Sequence, residues 1–433
     1  RLQGDWSSDV CSSDLKCLVE HALKELLPSC KTADDILKLT VCEPAMGSAA
    51  FLNEAINQLS EAYLTAKQKE LGQTIPHEQY TEEKQRVKMY IADTNVCGVD
   101  LNPVAVELAE VSLWLNAIFK GSHVPWFGMQ LHNGNSLVGA RRDVFSAAQL
   151  TPGRGEKGIP ERDWRVAVPR AVAMTASPAE SEVFHFLLPA DGMATCTDKV
   201  VKALEPAAFE RFKRWRSDFI APLTSDEIRR VKALTVAAEA LWQQHANELA
   251  RVRKATSDEL HVWPDPAPNR APTSTAQKDA TFQREMLSEQ VKNASPYRRL
   301  KVAMDAWCAL WFWPLDQAAH LPTREEWWFV LETVLLGSAS LAEVPPSTDF
   351  FPETLPQSTL DFTPERDRYG QVDIDALVAA LPTLRVAQQV AAGQHFFHWE
   401  LEFADQFKSH NGFHLMLGNP PWIKVKWNEQ SLL

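Results

Sequence analysis

Near one end of this 433-residue chain stands Asn419-Pro420-Pro421-Trp422, four residue types whose order suits one kind of chemistry. An exocyclic amine conjugated to a nucleobase is a poor nucleophile, because its lone pair is delocalised. The Asn419 side-chain oxygen and the Pro420 carbonyl can accept its two N–H bonds. That favours a more pyramidal nitrogen, able to attack a sulfonium methyl. Pro421 stiffens the turn, so the acceptors are set before reaction rather than ordered during it. Trp422 offers a flat face on which a base taken out of a duplex can stack. Alone, the same residues also read as a proline-rich turn with a core tryptophan.

Two further groups precede it. The run Glu43-Pro44-Ala45-Met46-Gly47-Ser48-Ala49-Ala50-Phe51 has the small residues that let backbone N–H groups and a helix N-terminus approach a ligand. Asp100 ends an apolar run, where a carboxylate can accept both hydroxyls of a ribose. A dinucleotide enzyme carries that acid about 20 residues after the loop; here it comes much later, so an extended first helix is expected. Singly, the loop reads equally as a tight turn and Asp100 as a solvated acid. Their joint occurrence, in this order, favours a nucleotide-cofactor site.

Other candidates read more simply. His395 and His398 could be metal ligands, but no acidic or cysteine partners cluster near them in sequence, and no metal is expected. Trp307, Trp311 and Trp313 read as helix-packing residues before they read as a base-stacking platform. Arg141, Arg142, Arg298 and Arg299 read as solvated charges before phosphate contacts.

The elements that must position these residues follow from periodicity. Apolar residues at helical spacing predict a helix over 16–28, stopped by Pro28. Residues 39–42 predict a short buried strand, 49–70 a helix and 96–99 a second strand. Asn102-Pro103 opens another helix, and residues 129–132 suggest a third strand before Gly134-Asn135-Ser136-Leu137. This alternation predicts a parallel α/β sheet. From 141 to 394 the chain reads as a mostly helical insertion. Thr224…Glu227 and Thr323…Glu326 are capping boxes, Ser295-Pro296 begins a helix ended by Pro314, and Gly337 suits a helix C-terminus. Residues 255–281 and 341–371 read as linkers. A fourth strand is expected over 412–417.

The opening residues 1–15 contain Ser-Ser-Asp-hydrophobic twice and look like a non-native, adapter-derived segment to be set apart from the fold. The expected organisation is then 16–140 as a cofactor-binding half, 141–394 as the insertion and 395–433 as the truncated start of a catalytic half. The 44 Lys+Arg against 56 Asp+Glu give a net charge of -12, which argues against coating DNA by charge alone. The seven cysteines form no CxxC pair, and no stretch is apolar enough to span a membrane, so a cytoplasmic location without membrane contact is expected.

Together, the series Glu43-Pro44-Ala45-Met46-Gly47-Ser48, Val99-Asp100-Leu101-Asn102-Pro103, Gly134-Asn135-Ser136-Leu137 and Asn419-Pro420-Pro421-Trp422 resembles the amino-methyltransferases of restriction–modification and phage-defence systems. It is most similar to the large adenine-specific class with the PglX-type enzymes and the methyltransferases of DISARM systems. The strings around Trp307-Cys308-Ala309-Leu310-Trp311 and His398-Trp399-Glu400 share that likeness. The resemblance implies a class I, Rossmann-like methyltransferase sheet, incomplete in its C-terminal half, that uses S-adenosylmethionine. Pro44, Ala45, Gly47 and Ser48 would form the loop around its methionine and ribose, with Glu43 near its amino end. Asp100 would hold the ribose, Leu101 would cover the adenine and Asn135 would reach the adenine edge. Asn419, Pro420, Pro421 and Trp422 would handle the target base. The family's usual loop cysteine is Met46 here, and its usual glycines are Ala49 and Ala50.

The resemblance implies adenine-N6 methylation by direct in-line transfer, on double-stranded DNA with a flipped adenine, with defence-system proteins as further partners. Methylation of cytosine N4, RNA or a protein amide uses similar turns, though usually in more compact chains. A non-catalytic, cofactor-binding scaffold subunit of a defence complex is a rival of another class. A nicotinamide dehydrogenase is disfavoured by the lack of Gly-x-Gly-x-x-Gly.

Overall fold

The computed structural model describes residues 12–119, 122, 124–150, 163–197, 199–265, 273–286, 295–337 and 372–419. The chain divides into two compact units. The first comprises Arg1–Leu137, Glu248–Leu287 and Asp405–Val425; the second comprises Val138–Asn247, Ser288–Ala404 and Lys426–Leu433.

The first unit is built on a four-stranded, wholly parallel sheet in the order β3-β2-β1-β7, where β1 is Val41–Glu43, β2 Val96–Asp100, β3 Leu131–Asn133 and β7 Leu415–Met416. Five helices of the N-terminal part belong to it: α1 (Ser12–Leu26), α2 (Ala33–Ile36), α3 (Ala50–Leu71), α4 (His77–Thr94) and α5 (Pro103–Ala117). Leu52, Ile56 and Leu59 of α3, Val87 and Ile91 of α4 and Leu113 of α5 join one core with Val41 and Val96 of the sheet. The α3 helix ends at Gly72, whose φ of 63° is the left-handed turn that glycine adopts without strain. Asn102 caps α5 by accepting the Val104 amide at 3.1 Å, with Pro103 in the first turn.

Three differences from the sequence reading stand out here. The polar stretch before β2 is the helix α4, whose buried residues lie only in its second half and so leave no period in the first. Helix α1 begins at Ser12, so the end of the segment expected to stand apart is helical, and Leu15 packs partly against the core. The expected linker 255–281 contains the start of a helix, Thr275–Met286, in which buried Lys278 pairs with Asp258 at 2.8 Å. The linker expected over 341–371 lies outside the described residues.

The second unit is mostly helical but also holds a small antiparallel sheet, β5-β4-β6, made of Arg170–Ala171, Asp143–Ser146 and Glu182–Phe184. No strand was expected there; pieces of two to four residues are too short to show a period of two. Both capping boxes are formed. Thr224 and Glu227 exchange bonds of 2.7 and 3.2 Å at the start of the helix Ser225–Thr256. Thr323 and Glu326 do the same at the helix Arg324–Leu336, which closes at Gly337 with φ 68°.

Trp307 and Trp313 are built into the packing of this unit, whereas Trp311, edge-on to Trp307, is exposed. Trp307 donates to the Leu188 carbonyl at 2.8 Å, Trp313 to that of Gln317 at 2.9 Å, and Trp328 to Glu227 at 3.0 Å. Of the paired arginines, Arg141 is solvated, with a side chain 58% exposed, whereas the other three are partly or wholly withdrawn from solvent. Arg142 is buried against Glu239 at 2.6 Å, Arg141 pairs with Glu400, Arg298 with Asp375, and Arg299 bonds the Val334 and Leu335 carbonyls at a helix end. His398 is buried: its Nδ1 accepts the Ala140 amide and its Nε2 bonds Asp305 at 2.9 Å, a structural arrangement with a fixed tautomer. Among the described residues there is no cluster suited to a metal ion, and no helix long and apolar enough to cross a membrane.

Candidate functional site

Four parallel strands run in the same direction, so their C-terminal ends share one edge of the sheet, the usual place for ligands in such sheets. That edge carries the end of β1 at Glu43, the end of β2 at Asp100, the turn after β3 at Asn135 and the chain beyond β7 at Asn419.

After β1 the loop is held down on β2. The Met46 amide donates to the Val99 carbonyl at 3.1 Å, and the Gly47 amide donates to Asp100 Oδ2 at 2.8 Å. Gly47 and Ala49 both take positive φ, 51° and 63°. An alanine in that region carries backbone strain of the kind stored at functional sites, and Ala49 stands where the resemblance expects glycine. Ala45 is exposed on the loop, with Pro44, Gly47 and Ser48 half-buried beside it.

Glu43 is only 3% exposed, and its Oε2 has no hydrogen-bond partner. Burial pushes its carboxyl far above the ordinary value of 4.5; the Leu52 amide opposes this and the Asp100 charge adds to it. A buried carboxyl oxygen without a partner, next to a loop rich in backbone amides, fits a ligand that brings a cationic amine.

Asp100 was expected to face a ribose. Its carboxylate is already engaged: Oδ2 takes the Gly47 amide, and Oδ1 takes the Asn102 amide at 2.8 Å. Each oxygen retains a second lone pair for a ligand hydroxyl. The Asp100 carbonyl accepts the Gly134 amide at 2.9 Å and the Asn133 side chain at 3.0 Å, and Asn133 also bonds the Leu101 carbonyl. Asn133 thus ties the turn after β3 to the end of β2, a role the sequence reading did not give it. Leu101 is 54% exposed. Asn135 is half-buried and accepts the Leu137 amide at 3.2 Å, a local turn that holds its side chain.

Beside β1 lies β7. The Leu417 amide donates to the Cys42 carbonyl at 2.9 Å, and Thr40 and His414 are linked by their side chains at 2.9 Å. A Cβ placed on Gly418 would lie 3.6 Å from Pro44 Cδ, in van der Waals contact, so the chain turns into Asn419 next to the loop. Asn419 is half-buried; Pro420, Pro421 and Trp422 lie outside the described residues. The structure therefore brings Glu43, Gly47, Asp100, Asn135 and Asn419 to one sheet edge.

No curated protein and no solved structure matches the chain. The model of one protein family, described as Eco57I restriction-modification methylase, matches residues 94–432, a span that includes Asp100, Asn135 and residues 419–422 but not the loop after β1.

Proposed function

Because the chain belongs to the Eco57I restriction-modification methylase family, we propose that it methylates the N6 of adenine in double-stranded DNA with S-adenosylmethionine as donor. The observation that carries this reading is the adjacency of β7 and β1, which sets Asn419 beside the loop after Glu43 at the edge where Asp100 and Asn135 also end. The order β3-β2-β1-β7 supports a class I, Rossmann-like sheet. The Trp-containing strings of the second unit favour a place among the large adenine-specific enzymes of phage defence.

The residues present fit the donor. Glu43, with its unpartnered buried oxygen, would receive the amino group, and the backbone of Ala45, Gly47 and Ser48 after Pro44 would line the methionine and ribose. Asp100 would take ribose hydroxyls on its remaining lone pairs, Leu101 would cover the adenine, and Asn135 would reach its edge. When bound, S-adenosylmethionine supplies a sulfonium methyl as electrophile. The Asn419 side chain and the Pro420 carbonyl would accept the two N–H bonds of the target amine. Pro421 would keep that turn stiff, and Trp422 would stack the flipped base.

Incubation of the protein with DNA and methyl-labelled donor, followed by digestion to nucleosides, tests the proposal. N6-methyladenine is expected. N4-methylcytosine would move the target to cytosine, and unmethylated DNA under conditions where the protein binds the donor would overturn the reading.

A further inference from the structure

Gly98 sits in the middle of β2, paired with Glu43 on one side and Leu131 on the other. A glycine inside a strand weakens it and marks a place where something approaches closely. That something is Met46. A Cβ on Gly98 would fall inside contact distance of Met46 Sδ, and 3.3 and 3.4 Å from Leu131 Cδ2 and Leu52 Cδ1.

Met46 has little room to yield. Its side chain is 2% exposed, its amide is bonded to Val99, and its carbonyl accepts the Ala49 amide at 2.7 Å. The sulfur blocked by a Cβ at Gly98 is an interior atom of that side chain, not its free end, and the same Cβ would also press on Leu131 and Leu52. Relief of the clash must lift the residue itself. Lifting Met46 pulls on Gly47, whose amide is bonded to Asp100.

We propose that Met46 and Gly98 form a size-matched pair that sets the height of the loop above the sheet, and that Gly98 is a positioning residue for the donor site. The inference rests on the donor assignment made above. The side chain of Met46 acts as a post and the missing side chain of Gly98 as its socket. The ligand meets neither; it meets the backbone amides whose position the pair determines.

The test is donor binding by titration calorimetry and steady-state methylation for four proteins: the parent chain, Gly98→Ala, Met46→Ala and the double variant. Gly98→Ala is expected to raise the dissociation constant and the KM for S-adenosylmethionine by roughly tenfold or more, in line with overpacking of a tight core. The KM for DNA should not change. The double variant, in which the shortened side chain makes room for the new Cβ, is expected to recover most of the loss. Donor binding by Gly98→Ala equal to the parent would overturn the proposal. So would a double variant that binds no better than Gly98→Ala. If Gly98→Ala does not fold, a folded, donor-binding double variant supports the pairing, and an unfolded or non-binding one overturns it. A parent chain that binds no donor fails the donor assignment instead, which is a separate outcome.

Discussion

The Gly47 amide and the Asp100 carboxylate are joined at 2.8 Å, so the acid that would meet a ribose also holds the loop that would meet the rest of the ligand. Asp100 spends its other oxygen on the Asn102 amide, at the start of α5. Hydrogen bonds to a charged acceptor contribute about 1.5–3 kcal/mol each. Asp100→Ala is therefore expected to weaken donor binding at least roughly a hundredfold and to lower the melting temperature as well. Asp100→Asn keeps one acceptor oxygen and should fall between. Calorimetric titration and a thermal melt of each variant check both effects; a loss of affinity with an unchanged melt would mean that the acid touches only the ligand.

Glu43 gives a pH dependence with a definite sign. Its folded pKa lies above the ordinary 4.5, so the folded state keeps a proton that the unfolded state has lost. Stability contributed by this group falls as pH rises from about 4.5 toward the folded value. Glu43→Gln removes that loss, and its melting temperature should exceed the parent's at pH 8 while converging with it near pH 4. A cationic amine arriving beside the carboxyl should expel the proton, so parent affinity for the donor should rise with pH and that of Glu43→Gln should not. Calorimetry in two buffers of different ionisation heat reads the released proton directly.

Asn419→Ala should separate binding from chemistry. The side chain is assigned to the target amine, not to the donor, so donor affinity should stay near the parent value. The methylation rate should fall by about 10²–10³, the usual cost of removing one preorganised hydrogen-bonding group at a reacting centre. Retained activity would remove Asn419 from the reaction.

A fourth prediction concerns the second unit. Arg142 is buried, stacks over Phe184 and pairs with Glu239 at 2.6 Å. Removing one member of such a pair strands the other charge, so Arg142→Ala should cost about 3–5 kcal/mol. Replacing both members together, Arg142→Met with Glu239→Leu, should recover most of it. Denaturant midpoints for the three proteins provide the check.

What could be read in the sequence was written in local chemistry. The boxes at Thr224 and Thr323, the Asn102 cap and the stop at Gly337 each depend on residues within four positions of one another, and each is formed. Glu43, Asp100, Asn135 and Asn419 share one edge because parallel strand ends place them there, whatever lies between. What could not be read depends on distant partners. Nothing near Arg142 announces Glu239, and the opening charges of α4 hide the burial of Val87 and Ile91. The engagement of Asp100 by Gly47 spans 53 positions. Gly98 carried a readable signal, a glycine inside an apolar strand, but its reason is a side chain on another strand's loop.

The pairing of β7 with β1 also has a consequence in time. Thr40 and His414, which meet at this junction, are 374 residues apart. At about 5–20 residues per second, a ribosome takes roughly 20–75 s to deliver the second of them after the first. Once β2 has been made, β1 has that neighbour but not β7 for the rest of the interval, and one side of Val41 and Cys42 offers its backbone to any passing strand. Completion of the proposed active site and covering of that edge are therefore the same late event in synthesis.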